Sequence, residues 1–506
     1  MRHGAALARG AVIPTGSRTL TLPDEQANQA AEAALARARH LGATFADVRV
    51  VQHREQQVLA EDRRIERMVD AESAGLGVRV VVNGSWGFAA TADASLAGAE
   101  RAAAEAVEIG KASASLRQGP PVVLAPEPVH EATFATERRT DPLDVPLARK
   151  VELLLAANEA MLAVEGVRKA HAYIQAKRER RTIASSEGTR VALDLVTTGC
   201  GLDATAVDGG DARSRKYEPP VLNGGWEVVE EADLRGEARR VGEEAVEKLH
   251  APPVESGEYD LILLPSALWL NIHESVGHAT ELDRVLGMEE SLSGGSFAGL
   301  EQLGSLRYGS ALINFRVLNT RPGLLASTGF DDEGVACQDW DIVSEGILVG
   351  YTTNREVAPA MGAERSRGSC RADSWANIPI LRMPNVCLLP GRERATVEEI
   401  IADTKRGILI DGDGTFSIDS RRLNFQFGGD AFWLIRDGRR AGMVRDVTYQ
   451  SITPEFWGAC DALADEREWQ PFGTLNCGKG DPMQTAQMTQ GCIPARFRRI
   501  AVRRAE

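Results

Sequence analysis

Residues 272–283 read I-H-E-S-V-G-H-A-T-E-L-D, from Ile272 to Asp283, and the winding of this stretch decides the fold around it. It follows an apolar run, Asp260–Leu264 (D-L-I-L-L), that reads as a buried strand. Pro265 ends that strand, and Ser266 is placed to cap a following helix. Apolar residues then recur at Leu268, Ile272, Val276, Ala279, Leu282 and Leu286, which is helical spacing. Gly287 supplies a C-terminal stop. His273, Glu274 and His278 are therefore expected on a helix leaving a central strand.

The two histidines stand at i and i+5 rather than the i and i+4 of the common H-E-x-x-H zinc signature. On a regular helix, i+4 separates two side chains by about 40° and i+5 by about 140°. A shared metal ion thus demands a π-type turn, with its wider loop. Gly277, just before His278, is the residue best able to accept that distortion. Without it, these are two ordinary histidines on an amphipathic helix. At this point both readings stand.

Composition narrows the class. The chain has 506 residues, 43% of them apolar and 26% charged, as in globular proteins. Its net charge of −14 argues against nucleic acid as a partner, because phosphate binding needs clustered Lys and Arg. No run approaches the ~18 apolar residues of a membrane span. Arg2, Arg9 and Arg18 precede the first acidic residue, Asp24. This start is read as a flexible tail over 1–23 rather than an import signal. Seven cysteines, an odd number, do not form a disulfide framework, and a cytoplasmic location is expected.

The fold class expected is α+β. Helices and antiparallel meanders fill an N-terminal subdomain over 24–118 and a middle subdomain over 141–255. A Pro-rich linker, 119–140, separates them. A β-rich domain over 256–506 carries the histidine helix. In the first block, helices are expected at Asp24–Gly42 and Ser95–Gly110, with strands at Ala46–Gln52, Gln57–Ala60 and Leu76–Val82 and a tight turn at Asn83-Gly84. In the second, Asp144–Glu165 and Leu234–Leu249 read as helices, with strands at Val167–Gln175, Arg181–Ser185 and Arg190–Thr198. The shared order suggests an internal structural repeat.

A third ligand has to come from elsewhere. Cys200, Cys387 and Cys492 sit in apolar settings that suit buried, inert thiols. Cys460 falls in an expected short helix, Trp457–Ala464. Cys370 (S-R-G-S-C-R-A-D-S) and Cys477 (T-L-N-C-G-K-G-D-P) lie in loop chemistry. Cys477 is favoured because Gly478 and Gly480 let the backbone turn, and Lys479 would help keep a thiolate ionised. An unliganded loop cysteine stays open for both. Asp331-Asp332-Glu333 reads as a solvated turn.

H-E-S-V-G-H-A-T-E-L-D, F-D-D-E-G (Phe330–Gly334), R-M-P-N-V (Arg382–Val386) followed by P-G, and C-G-K (Cys477–Lys479) together resemble the TldD/PmbA family of metallopeptidases. The resemblance runs from about Asp24 to the end. It implies the TldD-type, catalytic subunit, since the PmbA (TldE) sibling lacks the ligands. It also implies one zinc ion per active protomer, held by His273, His278 and Cys477, with Glu274 as general base. Unfolded or short peptides are the substrates implied. A homodimer or a heterodimer with a TldE-type sibling would enclose the site. The run after Lys479, G-D-P-M-Q-T-A-Q-M-T-Q-G-C, departs from the family pattern.

These residue types suit the chemistry. Two imidazoles and one thiolate leave zinc an open fourth position, the catalytic arrangement. Glu274 would take a proton from water and return it to the leaving amine. Glu281, three residues beyond His278, shares its face and is placed either to orient that imidazole or to end a solvated helix. No oxyanion donor is evident in the sequence; Tyr351 and Arg371 are the candidates. The alternative function is a non-catalytic peptide- or subunit-binding partner, with the metal absent or made structural by Glu281 or Cys370 closing the site as a fourth ligand. A redox role lacks a C-x-x-C pair.

Overall fold

The computed structural model describes residues 22–391 and 394–505. The tail expected over 1–23 lies outside them, save for Leu22 and Pro23. Helix α1, Asp24–His40, buries Ala27, Ala30, Ala31, Ala34 and Ala38 along one stripe. Strands β1 (Phe45–Glu61), β2 (Arg64–Val82) and β3 (Ser85–Thr91) follow as an antiparallel meander. The β2–β3 turn is Asn83-Gly84, with φ of 50° and 73°, the left-handed pair a two-residue hairpin needs. Helix α2, Leu96–Leu116, starts where Ser95 Oγ accepts a 3.1 Å bond from the Gly98 N–H.

The second block holds β4 (Glu131–Ala135), α3 (Leu147–Leu162), β5 (Val167–Ser185), β6 (Arg190–Asp208), β7 (Asp211–Tyr217), β8 (Leu222–Asn223), α4 (Glu227–Glu231) and α5 (Leu234–His250). The helix–meander–helix order occurs in both blocks. They meet in one eight-stranded sheet, because β1 pairs with β2 on one side and β5 on the other. Runs expected as separate short strands are continuous. The polar stretch His53–Gln56 keeps its register against Ala176–Glu179, since main-chain pairing is indifferent to side-chain polarity where a face is open to solvent.

The C-terminal region is β-rich, as its turn signals imply. Strand β9, Gly257–Leu263, lies inside a nine-stranded sheet, parallel to Arg406–Asp411 and antiparallel to Ala495–Arg504. Leu261, Ile262 and Leu263 are wholly buried there. Helix α6, Pro265–Ile272, leaves its end with Pro265 in the first turn, where the missing N–H costs nothing. Ser266 does not cap it; its hydroxyl donates to Asp411 and accepts from the Gly412 N–H.

Three further local expectations are corrected. The helix expected over Trp457–Ala464 spans Thr453–Gly458. Cys460–Leu463 then forms a strand on Ala495–Phe497, so sheet pairing wins over local pattern. Cys370 and Cys477 lie in strands rather than loops. Cys370 pairs with Leu381, while Cys477 lies in Gln470–Lys479, one arm of a two-stranded ribbon. The run after Lys479 supplies its other arm, Gln484–Cys492. Asp331, Asp332 and Glu333 are buried, not solvated. Arg49 and Arg181 pair with Asp332, and Arg79 with Glu333, from strands of the eight-stranded sheet. Those cations offset part of the burial of Asp332 and Glu333 and tie the sheet to the C-terminal region, while Asp331 accepts from the N–H groups of Glu333, Val335 and Cys370.

Candidate metal centre

The backbone beyond α6 does not continue as an α-helix. His273–Gly277 is wound as a π-turn, with the His278 N–H donating to the His273 carbonyl, and His278–Thr280 follows as a 3-10 turn. Side chains hold this winding. The Tyr308 hydroxyl donates to the Ser275 carbonyl, Trp457 Nε1–H donates to Ser275 Oγ at 3.0 Å, and Thr280 Oγ1 donates to the Val276 carbonyl at 2.8 Å. At Gly277 an added Cβ would lie 2.2 Å from Met383 Sδ. A side chain there would collide with the methionine beneath the turn.

The π-turn brings the two imidazoles together, with ring centroids 4.8 Å apart and planes at 86°. Cys477 reaches the same place from the ribbon. One ligand atom from each of His273, His278 and Cys477 lies within 4.8 Å of the others. Cys477 Sγ is 3.4 Å from His278 Nε2. Tetrahedral zinc, with Zn–N near 2.0–2.1 Å and Zn–S near 2.3 Å, would set such edges at about 3.3–3.6 Å. Nδ1 of His273 is buried with no hydrogen-bond partner. Two imidazoles and a sulfur whose ligand atoms lie this close together suit a soft divalent ion. Cys370 is not part of this group; its N–H donates to Asp331, away from the cluster.

The electrostatics favour ligand forms. Burial lowers the pKa of His273, which keeps it neutral. Burial pushes the Cys477 thiol up, but His278 and then Arg382 outweigh it, and the net shift is downward. Burial holds the thiols of Cys200 and Cys387 up at about 12 and that of Cys337 at about 11, and raises those of Cys370, Cys460 and Cys492 as well. Cys477 is thus the one cysteine among the described residues whose thiol is shifted down.

Glu281 sits behind His278 rather than at a solvated helix end. Its Oε2 is 2.8 Å from His278 Nδ1, which fixes the proton there and leaves Nε2 facing Cys477. Burial would raise the Glu281 pKa, but Lys479, His278 and Arg284 together hold it well below the usual carboxylate range. Lys479 does not act on the thiolate directly, as the C-G-K spacing suggested. Its ammonium, wholly buried, pairs with Glu281 and Asp283. The alternation of the strand explains this, because Cys477 and Lys479 share a face two residues apart.

The sequence assigned no role to two arginines: Arg382, visible only as part of a motif, and Arg422. Arg382 donates to the carbonyls of Cys477 and of Gln484, at 2.8 Å for the latter, and clamps the ribbon at Cys477. Arg422 donates to Glu274 Oε2. Their positions 148 and 95 residues from Glu274 and Cys477 give no local signal. Tyr351 and Arg371 are engaged elsewhere. The Tyr351 hydroxyl is shared between the carbonyls of Ala298 and Gly299, and Arg371 donates to those of Gln487 and Met383.

Beside the cluster lies a cavity of about 900 Å³ between the eight-stranded sheet and the ribbon. None of the three clustered residues lines it. Its wall includes Asn476, next to Cys477, and Trp269, whose ring is 6.0 Å from His273.

Known proteins resemble this chain over most of its length. Three family models match in chain order: PmbA/TldA metallopeptidase domain 1 over residues 46–110, the central domain over 140–251 and the C-terminal domain over 256–492. The chain belongs to the PmbA/TldA metallopeptidase family. A metalloprotease of Methanothermobacter thermautotrophicus is 31% identical over 437 residues, 86% of this chain and 90% of that protein. A zinc metalloprotease TldD homolog of Saccharolobus solfataricus is 23% identical over 92% of this chain and 98% of its own. TldE of Thermococcus kodakarensis has the same fold, with a TM-score of 0.74 at 18% identity over 94% of this chain and 100% of that one. No helix among the described residues is long and apolar enough to cross a membrane.

Proposed function

We propose that this PmbA/TldA-family chain is a TldD-type, zinc-dependent peptidase acting on unfolded or short peptides. The observation that carries the reading is the meeting of His273, His278 and Cys477 through a π-turn, with Glu274 on that same turn. These three would hold one zinc ion, and Glu281 would orient His278. Bound there, the metal would supply an electrophile for the peptide carbonyl and lower the pKa of a water molecule. Glu274 then accepts the proton of the attacking water as the new C–O bond forms. It returns that proton to the amine nitrogen as the C–N bond breaks.

Peptide binding follows from the ribbon. Strand Gln470–Lys479 pairs only with Gln484–Cys492 among the described residues, and Phe472–Asn476 line the cavity. An extended peptide adding to that free edge by main-chain bonds would be led to Cys477. Recognition of backbone rather than side chains suits a broad range of sequences. A second copy or a TldE-type sibling is the expected partner, enclosing the site. Seven free thiols suit a reducing, cytoplasmic compartment.

The non-catalytic alternative with a structural metal needs a fourth protein ligand, and its metal-free form predicts no bound zinc. Glu281 is committed to His278 and Lys479, and Cys370 to the vicinity of Asp331. Cleavage of an unstructured peptide, before and after zinc removal and readdition, tests the proposal. Loss and return of activity support it; cleavage indifferent to chelation rejects it.

A further inference from the structure

Arg422 occupies the turn between strands Phe416–Ile418 and Asn424–Phe427. Its φ of 63° is in the left-handed region, unusual for a residue with a long side chain. The turn is nonetheless firmly held. Asp419 accepts from the N–H groups of Arg421, Leu423 and Asn424 at 2.9–3.0 Å. The Arg422 carbonyl accepts from Thr453 Oγ1 at 2.8 Å. This backbone delivers a largely buried guanidinium whose sole side-chain hydrogen bond among the described residues goes to Glu274 Oε2, while its Nε is buried without a partner. An uncommon backbone conformation that is over-determined by its surroundings, and that aims a charge into a site, is how local strain is used functionally.

We infer that Arg422 is the positioning residue of Glu274: its guanidinium, fixed by the 419–424 turn, holds the carboxylate toward the face shared by His273, His278 and Cys477. Without it, the Glu274 side chain is free to rotate away, and the proton acceptor is no longer aligned with the water it serves. The inference rests on the peptidase reading for its consequence, but the ion pair itself can be tested without turnover.

The variant Arg422→Gly suits the left-handed turn and removes only the side chain. With an unstructured peptide, kcat falls about 100-fold, KM stays within about 3-fold, and zinc content is unchanged. Arg422→Lys restores part of the loss. In a Glu274→Gln background, Arg422→Gly costs less than about 3-fold more, since the two act as one unit. In metal-free protein, Glu274→Gln lowers the Tm of the parent, because it strands a buried guanidinium; it does not lower the Tm of Arg422→Gly. Additive losses in kcat, an effect on KM alone, or equal Tm shifts in both backgrounds would overturn the inference. If the parent protein, alone and mixed with a TldE-type sibling, cleaves no peptide at all, the peptidase reading fails, and the Tm cycle still decides whether Arg422 holds Glu274.

Discussion

Lys479 and Glu281 form a buried ion pair, with Nζ 3.2 Å from Oε1, and the other oxygen of Glu281 lies 2.8 Å from His278 Nδ1. The strand that brings Cys477 is thereby coupled to the turn that brings His278. Burial lowers the Lys479 pKa, but Asp283 and Glu281 reverse this and hold it above its ordinary value.

Removing that support should weaken metal binding without abolishing it. Glu281→Gln keeps the shape but loses the charge that orients His278. Zinc affinity is expected to fall about 10–100-fold, the usual effect of losing such a partner. Competition with a chelating dye measures it. Lys479→Met should act through the same carboxylate, so the two losses should not add.

As the proposed general base, Glu274 would contribute chemistry rather than coordination. Glu274→Gln should retain zinc and lower kcat by about 10²–10⁴-fold, the range expected for a lost general base. Full turnover in that variant would reject the assigned role.

Gly277→Ala sets two effects against each other. Alanine favours a helix over glycine by up to about 1 kcal/mol. The added Cβ would lie 2.2 Å from Met383 Sδ, and Met383 is buried with its carbonyl held by Arg371. Overpacking of about 1–3 kcal/mol should win, so the variant is expected to melt earlier and bind zinc more weakly. Chemical denaturation of the metal-free protein checks the sign.

His53 supplies a pH dependence away from the site. Burial, and next Lys177, lower its pKa from 6.5 to about 4 in the folded chain. As pH falls from 6.5 to 4 the unfolded state binds a proton that the folded state refuses, so His53 costs stability across that window. Below it both states are protonated and the slope from His53 ends. His53→Gln should flatten urea-unfolding stability between pH 6.5 and 4.

How much was legible follows from where each signal resides. The i and i+5 histidines made the π-turn one of two open readings, because the distortion is local; Gly277 serves it through its missing Cβ beneath Met383, not through an unusual φ. The Asn83-Gly84 hairpin was legible for the same reason. The buried Asp331–Glu333 turn was misread as solvated, since its arginine partners lie 151–283 residues away. The role of Arg382, visible only as a motif residue, and that of Arg422 were hidden for the same reason. The sequence marks a charged residue, but only the packed sheets bring it to a carbonyl or a carboxylate. The role of Lys479 was misassigned because strand alternation, not proximity in sequence, decides which groups it meets.

The most direct test is elemental analysis of purified protein and of Cys477→Ala, with peptide cleavage measured on the same samples. One zinc per protomer in the parent, lost together with cleavage in the variant, is the predicted result. A Cys477→Ala protein that keeps a full complement of zinc and cleaves at the parental rate would contradict the His273–His278–Cys477 centre.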